Sequence, residues 1–252
     1  MRLKKAIADS LCSPFIGKFL TRFFNKRIPS LRNWGYRFFV PVQYSSPVIH
    51  ASIFWGIYES AEIRLIKKCL RSDLPVVELG GSLGIVSSFI IKKLKKENSL
   101  KIVEANPNLI STIDANLKRH NINGVQYKIF NNALGYNSNS LRMQLSTDNT
   151  ASRVIRSETS NNKFVEISCL SLSNLTDGQP YALVCDIEGS EIEIIIHDKE
   201  ILKQCCQLFI ELHDTSYNGV IYKSIELVEL LQNIGFICKA KDGNVYFFER
   251  DK

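Results

Sequence analysis

The sequence predicts an α/β fold: a doubly wound, mostly parallel sheet that takes up an antiparallel strand at its C-terminal hairpin. Three observations carry that prediction. From Trp55 onward, short apolar runs alternate with stretches of helical periodicity. Gly80, Gly81 and Gly84 follow the first such run and lead into a helix. Near the end, Asp242-Gly243 separates two alternating apolar runs, a strong hairpin signal.

The elements follow in order. Tyr58 to Leu70 reads as a helix, with Ile63, Leu65, Ile66 and Leu70 apolar. Pro75 to Leu79 reads as a short buried strand, and Ile85 to Lys96 as the helix after the glycines. A strand over Leu100–Glu104, a helix over Leu109–His120 and a strand over Gln126–Phe130 come next. Residues 135–163 are rich in Ser, Asn and Thr without periodicity, and read as loop with a short hairpin. Phe164–Leu170 alternates as a strand does. Tyr181–Asp186 is another buried strand, followed by a helix from Ser190. Gln207–His213 is a strand and Lys223–Asn233 a helix, and the chain closes with Phe236–Ala240 and Val245–Glu249. Strand–helix alternation of this kind builds a parallel sheet with helices on both faces.

Composition narrows the class. The chain has 252 residues, 45% hydrophobic and 23% charged, enough for one large domain with a full core. We divide it into a basic N-terminal segment over 1–56, packing on or extending the domain, and the domain proper over 57–252. The formal net charge of +7 favours anionic partners, but no block of five like charges occurs. Within the first segment, Phe15–Phe24 reads as an amphipathic basic helix that could touch a membrane surface or pack on its own domain. Seven cysteines without Cys-x-x-Cys spacing or a Cys/His cluster argue against a disulfide framework or structural zinc, and fit a cytoplasmic protein. Asp9, Ser10 and Pro14 break up any apolar signal core, and no run approaches the length of a membrane span.

In open α/β sheets, ligands sit beyond the carboxyl ends of the strands. There the sequence places Glu78, Gly80, Gly81, Ser82 and Gly84, then Glu104, then Asn132 and Ala133. Farther on it places Asp186, Glu188 and Glu191, and then Glu211, His213 and Asp214. Glycines let backbone approach a ligand, and a carboxylate at Glu104, 20 residues past Gly84, can accept from both hydroxyls of a ribose. Glu78-x-Gly-Gly-x-x-Gly is not the dinucleotide fingerprint, because Leu79 stands where its first glycine would be. A donor without phosphate fits that turn, and a carboxylate beside it could hold an ammonium group.

Seen together, these residues resemble a known family. Trp55-Gly56-x-Tyr58-Glu59-x-x-Glu62, the Glu78–Gly84 loop, Glu104-Ala105-Asn106-Pro107 and Asn132-Ala133-Leu-Gly135 occur in order. Leu170-Ser-Leu172, Asp186-x-Glu188-Gly189-x-Glu191 and Glu211-x-His213 follow. This series is similar to the FkbM family of S-adenosylmethionine (SAM) dependent O-methyltransferases, over about residues 54–249. The resemblance implies a class I methyltransferase, Rossmann-like, with a seven-stranded sheet. It implies SAM held by Tyr58, Glu59, Glu78, Gly80, Gly81, Ser82, Gly84, Glu104, Ala105, Asn106, Asn132, Ala133 and Asp186. It further implies a hydroxyl acceptor on a carbohydrate, glycolipid or related small molecule, in surface-polysaccharide modification. Two departures stand out: Glu78 where the family usually has Asp, and Gly81-Ser82 where Ala-Asn is common.

For chemistry, Asp186, Glu188 and His213 are the candidates, with a neutral His213 suited to take the acceptor's proton near pH 7. Asp186, Glu188, Glu211 and Asp214 could instead gather magnesium, though acids of this kind often simply bind substrate hydroxyls. The rival readings are a nicotinamide-dependent oxidoreductase, a nucleic-acid methyltransferase and a non-catalytic SAM-binding scaffold. Asp186-Ile187-Glu188-Gly189 is unlike the Asn-Pro-Pro-Tyr type of motif that base methylation uses, and its acids would repel phosphate.

Overall fold

A computed structural model describes residues 11–25, 27–144, 153–155 and 164–250. The main sheet is built from β3 (Val76–Leu79), β4 (Ser99–Val103), β5 (Gln126–Phe130), β10 (Tyr181–Cys185), β11 (Cys205–Glu211), β14 (Ile237–Asp242) and β15 (Val245–Glu249). Its order is β14-β15-β11-β10-β3-β4-β5. The chain lays β3, β4 and β5 outward in parallel, then crosses back to place β10 and β11 on the other side of β3. Strand β15 runs antiparallel to both β11 and β14, as the Asp242-Gly243 turn predicts. The reversal of strand order therefore falls between β3 and β10, where a doubly wound sheet opens a crevice.

Apolar residues on both faces of the sheet explain why the central strands read as continuous apolar runs. On one face, α3 (Ser60–Cys69), α4 (Ile85–Lys93) and α5 (Ile110–His120) bury Ile66, Phe89, Ile90 and Leu117 with Val76, Leu100 and Ile102. On the other, α6 (Glu191–His197) and α8 (Ser224–Asn233) bury Ile195 and Leu227 with Val77, Leu183 and Leu208. A short helix, α7 (Lys199–Leu202), links α6 to β11. Each helix on the first face ends on basic residues, which suit the carbonyl end of its dipole.

The N-terminal segment belongs to the same core. It forms α1 (Pro14–Phe24), a small hairpin of β1 (Arg27–Pro29) and β2 (Arg37–Phe39), and α2 (Pro47–Trp55). Ile28, Phe38, Val40 and Ile53 join the cluster of α3, α4 and α5. Asn116 of α5 anchors the segment, accepting from Phe39 N at 2.7 Å and donating to Phe39 O at 2.9 Å.

Two features go beyond the sequence expectation, a second sheet and a further hairpin. The stretch expected as loop with a short hairpin holds an antiparallel pair, β7 (Ser140–Gln144) and β8 (Arg153–Ile155), and beyond that expectation the pair joins β6 (Ala133–Leu134) and β9 (Phe164–Leu170) in a second sheet. Residues 145–152 and 156–163 of that stretch lie outside the described residues, as do residues 1–10. A hairpin of β12 (Thr215–Tyr217) and β13 (Val220–Tyr222) follows the expected strand end at His213. The Asn218-Gly219 turn supplies the positive φ at both positions that such a hairpin needs.

Candidate active site

A cavity of about 430 Å³ opens over the carboxyl ends of β3, β4 and β10. Its floor is the turn Leu79–Leu83, whose shape is dictated by close approach. Gly80 N and Gly81 N both donate to Val103 O, at 2.9 and 3.1 Å. A Cβ on Gly80 would lie 1.9 Å from Asp186 O, so only glycine lets the ends of β3 and β10 meet. Three non-glycine residues with positive φ, Glu59, Ser82 and Glu188, all line this cavity. Strained backbone gathered at one pocket is a mark of a functional site.

Glu104, at the end of β4, is buried with its carboxylate facing the turn. Its Oε2 accepts the Ser82 N–H at 2.8 Å and its Oε1 the Asn106 N–H at 2.7 Å. Burial raises its pKa, and these two N–H groups pull it back. Tyr58, leading into α3, meets the Ser82 hydroxyl through its own at 3.1 Å. Asn132 donates to Ser168 O at 3.1 Å, which fixes it beside Ala133 and Leu134 of β6. Val103, Leu109, Ala133, Leu134 and Met143 give this end an apolar lining suited to a flat ring.

The opposite end is acidic. Glu59, Glu62, Asp186 and Glu188 line it, and no Lys or Arg is among the described lining residues. Burial and mutual repulsion push Asp186 up to about 8 and Glu59 up to about 7, and drive Glu62 well above its usual range. The Oδ1 atom of Asp186 is buried without a hydrogen-bond partner.

Behind Asp186 lies a second layer. Glu191 is fully buried and accepts from Ile187 N and Gly189 N, at 3.3 and 3.2 Å, closing the loop that carries Glu188. Thr215 donates to Gly189 O at 2.7 Å from the other side. His213 sits with Nδ1 3.5 Å from Glu191 Oε1 and Nε2 3.7 Å from Glu211 Oε1. Both separations suit ion pairing and are too long for strong hydrogen bonds.

The site therefore departs from the sequence expectation at several residues. Tyr58, Glu59, Gly80, Gly81, Ser82, Glu104, Ala105, Asn132, Ala133, Asp186 and Glu188 line the cavity. Glu78, Gly84 and Asn106 stand behind its wall. Glu78 is buried with both carboxyl oxygens unpartnered, the Ser87 hydroxyl lying beside it but out of hydrogen-bond geometry. Gly84 packs against Ile113, and Asn106 is fully buried. His213 is not the neutral base expected: Glu191, helped by Glu211 and Asp186, lifts it to about 9 against the opposing effect of burial. Asp214 does not join the acids, because it accepts from Lys223 Nζ and Ser224 N, each at 2.9 Å. His213 takes its place: Asp186, Glu211 and His213 bring one ligand atom each within 4.8 Å of one another.

The sequence reading left Glu62, Met143, Thr215 and Ser216 out of the candidate site. A signal for Glu62 existed, since it falls three and four residues before Leu65 and Ile66 on the buried stripe of α3. A carboxylate on such a stripe needs a partner or a function.

A strand-end crevice with a glycine turn, a carboxylate closing that turn and an acidic end, in a sheet whose strand second from one edge is antiparallel, fits a SAM-dependent methyltransferase. The methyltransferase FkbM domain model matches residues 78–238, and the chain belongs to that family. Solved structures with a similar arrangement include the delta-N METTL16 MTase domain, at 11% identity and TM-score 0.47, covering 95% of this chain and 98% of that one. Magnesium protoporphyrin IX methyltransferase (ChlM) from Synechocystis PCC 6803 with bound SAH matches at 10% identity and TM-score 0.44, over 75% of this chain and 80% of that one. The ribosomal protein L11 methylase from Lactobacillus delbrueckii subsp. bulgaricus matches at 13% identity and TM-score 0.42, over 75% and 77%. A comparison with curated proteins finds no match.

Proposed function

We propose that this chain transfers a methyl group from SAM to a hydroxyl of a carbohydrate, glycolipid or related small molecule, in surface-polysaccharide modification. The observation that carries this reading is the acidic lining of the cavity. Five carboxylates line it, Glu59, Glu62, Glu104, Asp186 and Glu188, with no Lys or Arg among the described lining residues. Such a wall suits a positively charged donor without phosphate and a neutral, hydroxyl-rich acceptor. A cationic donor would favour the charged forms of Glu59, Glu62 and Asp186, whereas a pyrophosphate or a nucleic-acid backbone would push their raised pKa values higher still. The glycan class of acceptor rests on the resemblance to the FkbM family.

When bound, SAM supplies a methyl group already activated on a sulfonium. The chain's own work is to align and to move a proton. In this reading Glu104 accepts from ribose hydroxyls, Gly80 and Gly81 give close backbone approach, and Ala133 and Leu134 flank an adenine. Glu59, Glu62 and Asp186 face the charged end. Glu188, Thr215 and Ser216 offer hydrogen bonds to an acceptor at the mouth. For His213 to take the acceptor's proton it must first lose the one that Glu191, Glu211 and Asp186 hold on it. It can do so at neutral pH once positive charge in the cavity offsets the acids that now hold its proton.

A second reading has a specific observation in its favour. Asp186, Glu211 and His213 form a possible three-ligand site, and the buried Asp186 Oδ1 has no hydrogen-bond partner. A divalent cation held there would polarise the acceptor hydroxyl itself, and His213 would be a ligand rather than the base.

The test is transfer of labelled methyl from SAM to a panel of sugars, glycolipids, RNA and DNA, with and without chelator. Label on a carbohydrate hydroxyl supports the proposal, and loss of that label with chelator selects the cation reading. Label on nucleic acid alone would overturn it.

A further inference from the structure

We infer that the N-terminal segment is a docking surface for an anionic lipid bilayer. The first observation is where charge falls along the chain. Residues 1–56 hold nine Lys and Arg against a single acid, Asp9, and no Asp or Glu occurs from Ser10 through Tyr58. The rest of the chain holds 23 basic against 24 acidic residues, so this segment carries the whole positive excess.

The second observation is which way α1 faces. Its inner stripe packs on α2: Leu20 is buried, Phe24 meets the Phe54 ring at 5.8 Å, and a Cβ on Gly17 would lie 1.7 Å from Pro47 O. That contact fixes the helix rotation and leaves Phe15, Phe19 and Phe23 outward, at 82%, 62% and 70% exposure. Three phenylalanines spaced by four residues make one ridge, and Phe19 stacks on Phe23 at 6.0 Å. Lys18 and Arg22 are exposed along its flank. Trp34, at 88%, and Leu31 are exposed in the β1–β2 loop, and strand β1 contacts α1. In that loop Arg32 joins Lys67 and Lys68 around a depression with no carboxylate among its described lining residues.

An aromatic ridge flanked by cations is the pattern of a helix that lies in a membrane interface. Among the described residues no helix is long and apolar enough to cross a membrane, and α1 has 11 residues. Charge selects the occupant: a neutral apolar partner would not need the cations, whereas anionic headgroups attract them. The segment runs on in sequence into the cavity wall, since α2 ends at Trp55 and the chain then reaches Tyr58 and Glu59. Docked in this way, the enzyme would meet acceptors carried at a lipid surface.

The test is sedimentation with vesicles of phosphatidylcholine alone and of equal parts phosphatidylcholine and phosphatidylglycerol. It needs no methyl transfer, so it is independent of the acceptor proposed above. The full chain should sediment with the anionic vesicles and not with the neutral ones, and salt should release it. Lys18→Gln with Arg22→Gln should weaken binding by about fivefold per cation. Phe15→Ser, Phe19→Ser and Phe23→Ser together should abolish it while leaving SAM affinity and the melting midpoint unchanged, since all three rings are exposed. Wild type that ignores anionic vesicles, or a triple variant that still binds them, would overturn the proposal. So would a concentration-dependent dimer that the triple variant dissolves, because the ridge would then be a contact between copies.

Discussion

The Oε2 atom of Glu104 accepts the Ser82 N–H at 2.8 Å, so the acid ending β4 holds the turn that ends β3. Its other oxygen holds Asn106 N. Replacement by Ala should therefore weaken SAM binding by about ten- to hundredfold, the value of hydrogen bonds to a charged group. Glu104→Gln should fall between, because an amide oxygen still accepts. Calorimetric affinities for the two variants check this, and equal affinity in all three proteins would place the ribose elsewhere.

Gly80 faces Asp186 across the strand reversal. Gly80→Ala places a methyl group 1.9 Å from Asp186 O, at a φ of +92°. The expected cost is about 1–3 kcal/mol, which lowers the melting midpoint by roughly 2–4 °C per kcal/mol in a chain of this size. An unchanged midpoint would mean the two strand ends do not touch.

Glu78 makes stability fall as pH rises. Burial lifts its carboxyl from 4.5 to about 8. A raised folded pKa means the native state holds the proton longer than the unfolded chain does. The contribution is complete below about pH 4.5 and is lost as pH rises through about 8. The melting midpoint should decline between those limits, and Glu78→Gln should flatten the decline. At pH 8 the variant should melt at least about 2 °C above wild type, the shift that about 1 kcal/mol gives here. Parallel curves for the two proteins would show that Glu78 does not titrate in this window.

His213→Ala should lower turnover by about 10²–10⁴-fold, the usual loss of a general base, with SAM affinity retained. His213 lies outside the cavity wall, in the layer behind Asp186, so donor binding does not depend on it. Full turnover in the variant would remove His213 from both the base and the cation-ligand roles.

The central sheet was legible because its strands are buried on both faces and its turns need glycine. Gln126–Phe130 and Val245–Glu249 fall where the periodicity puts them. The hairpin holding β7 was read without bounds, because its register rests on a distant partner, Ser140 opposite Ser168 and Gln144 opposite Phe164, in a polar stretch. The cavity's glycine turn, Glu104 and Asp186 could be read from strand ends. Glu78 could not be placed, since successive strand residues point to opposite faces and one residue decides between pocket and core. The proton state of His213 depends on Glu191 and Glu211, whose approach only the folded loops create.

The measurement closest to the central claim is calorimetric titration of the purified chain with SAM and, in parallel, with NADH. An acid-lined cavity built for a cationic, phosphate-free nucleoside predicts micromolar binding of SAM and none of NADH. Binding of NADH with no response to SAM would contradict it.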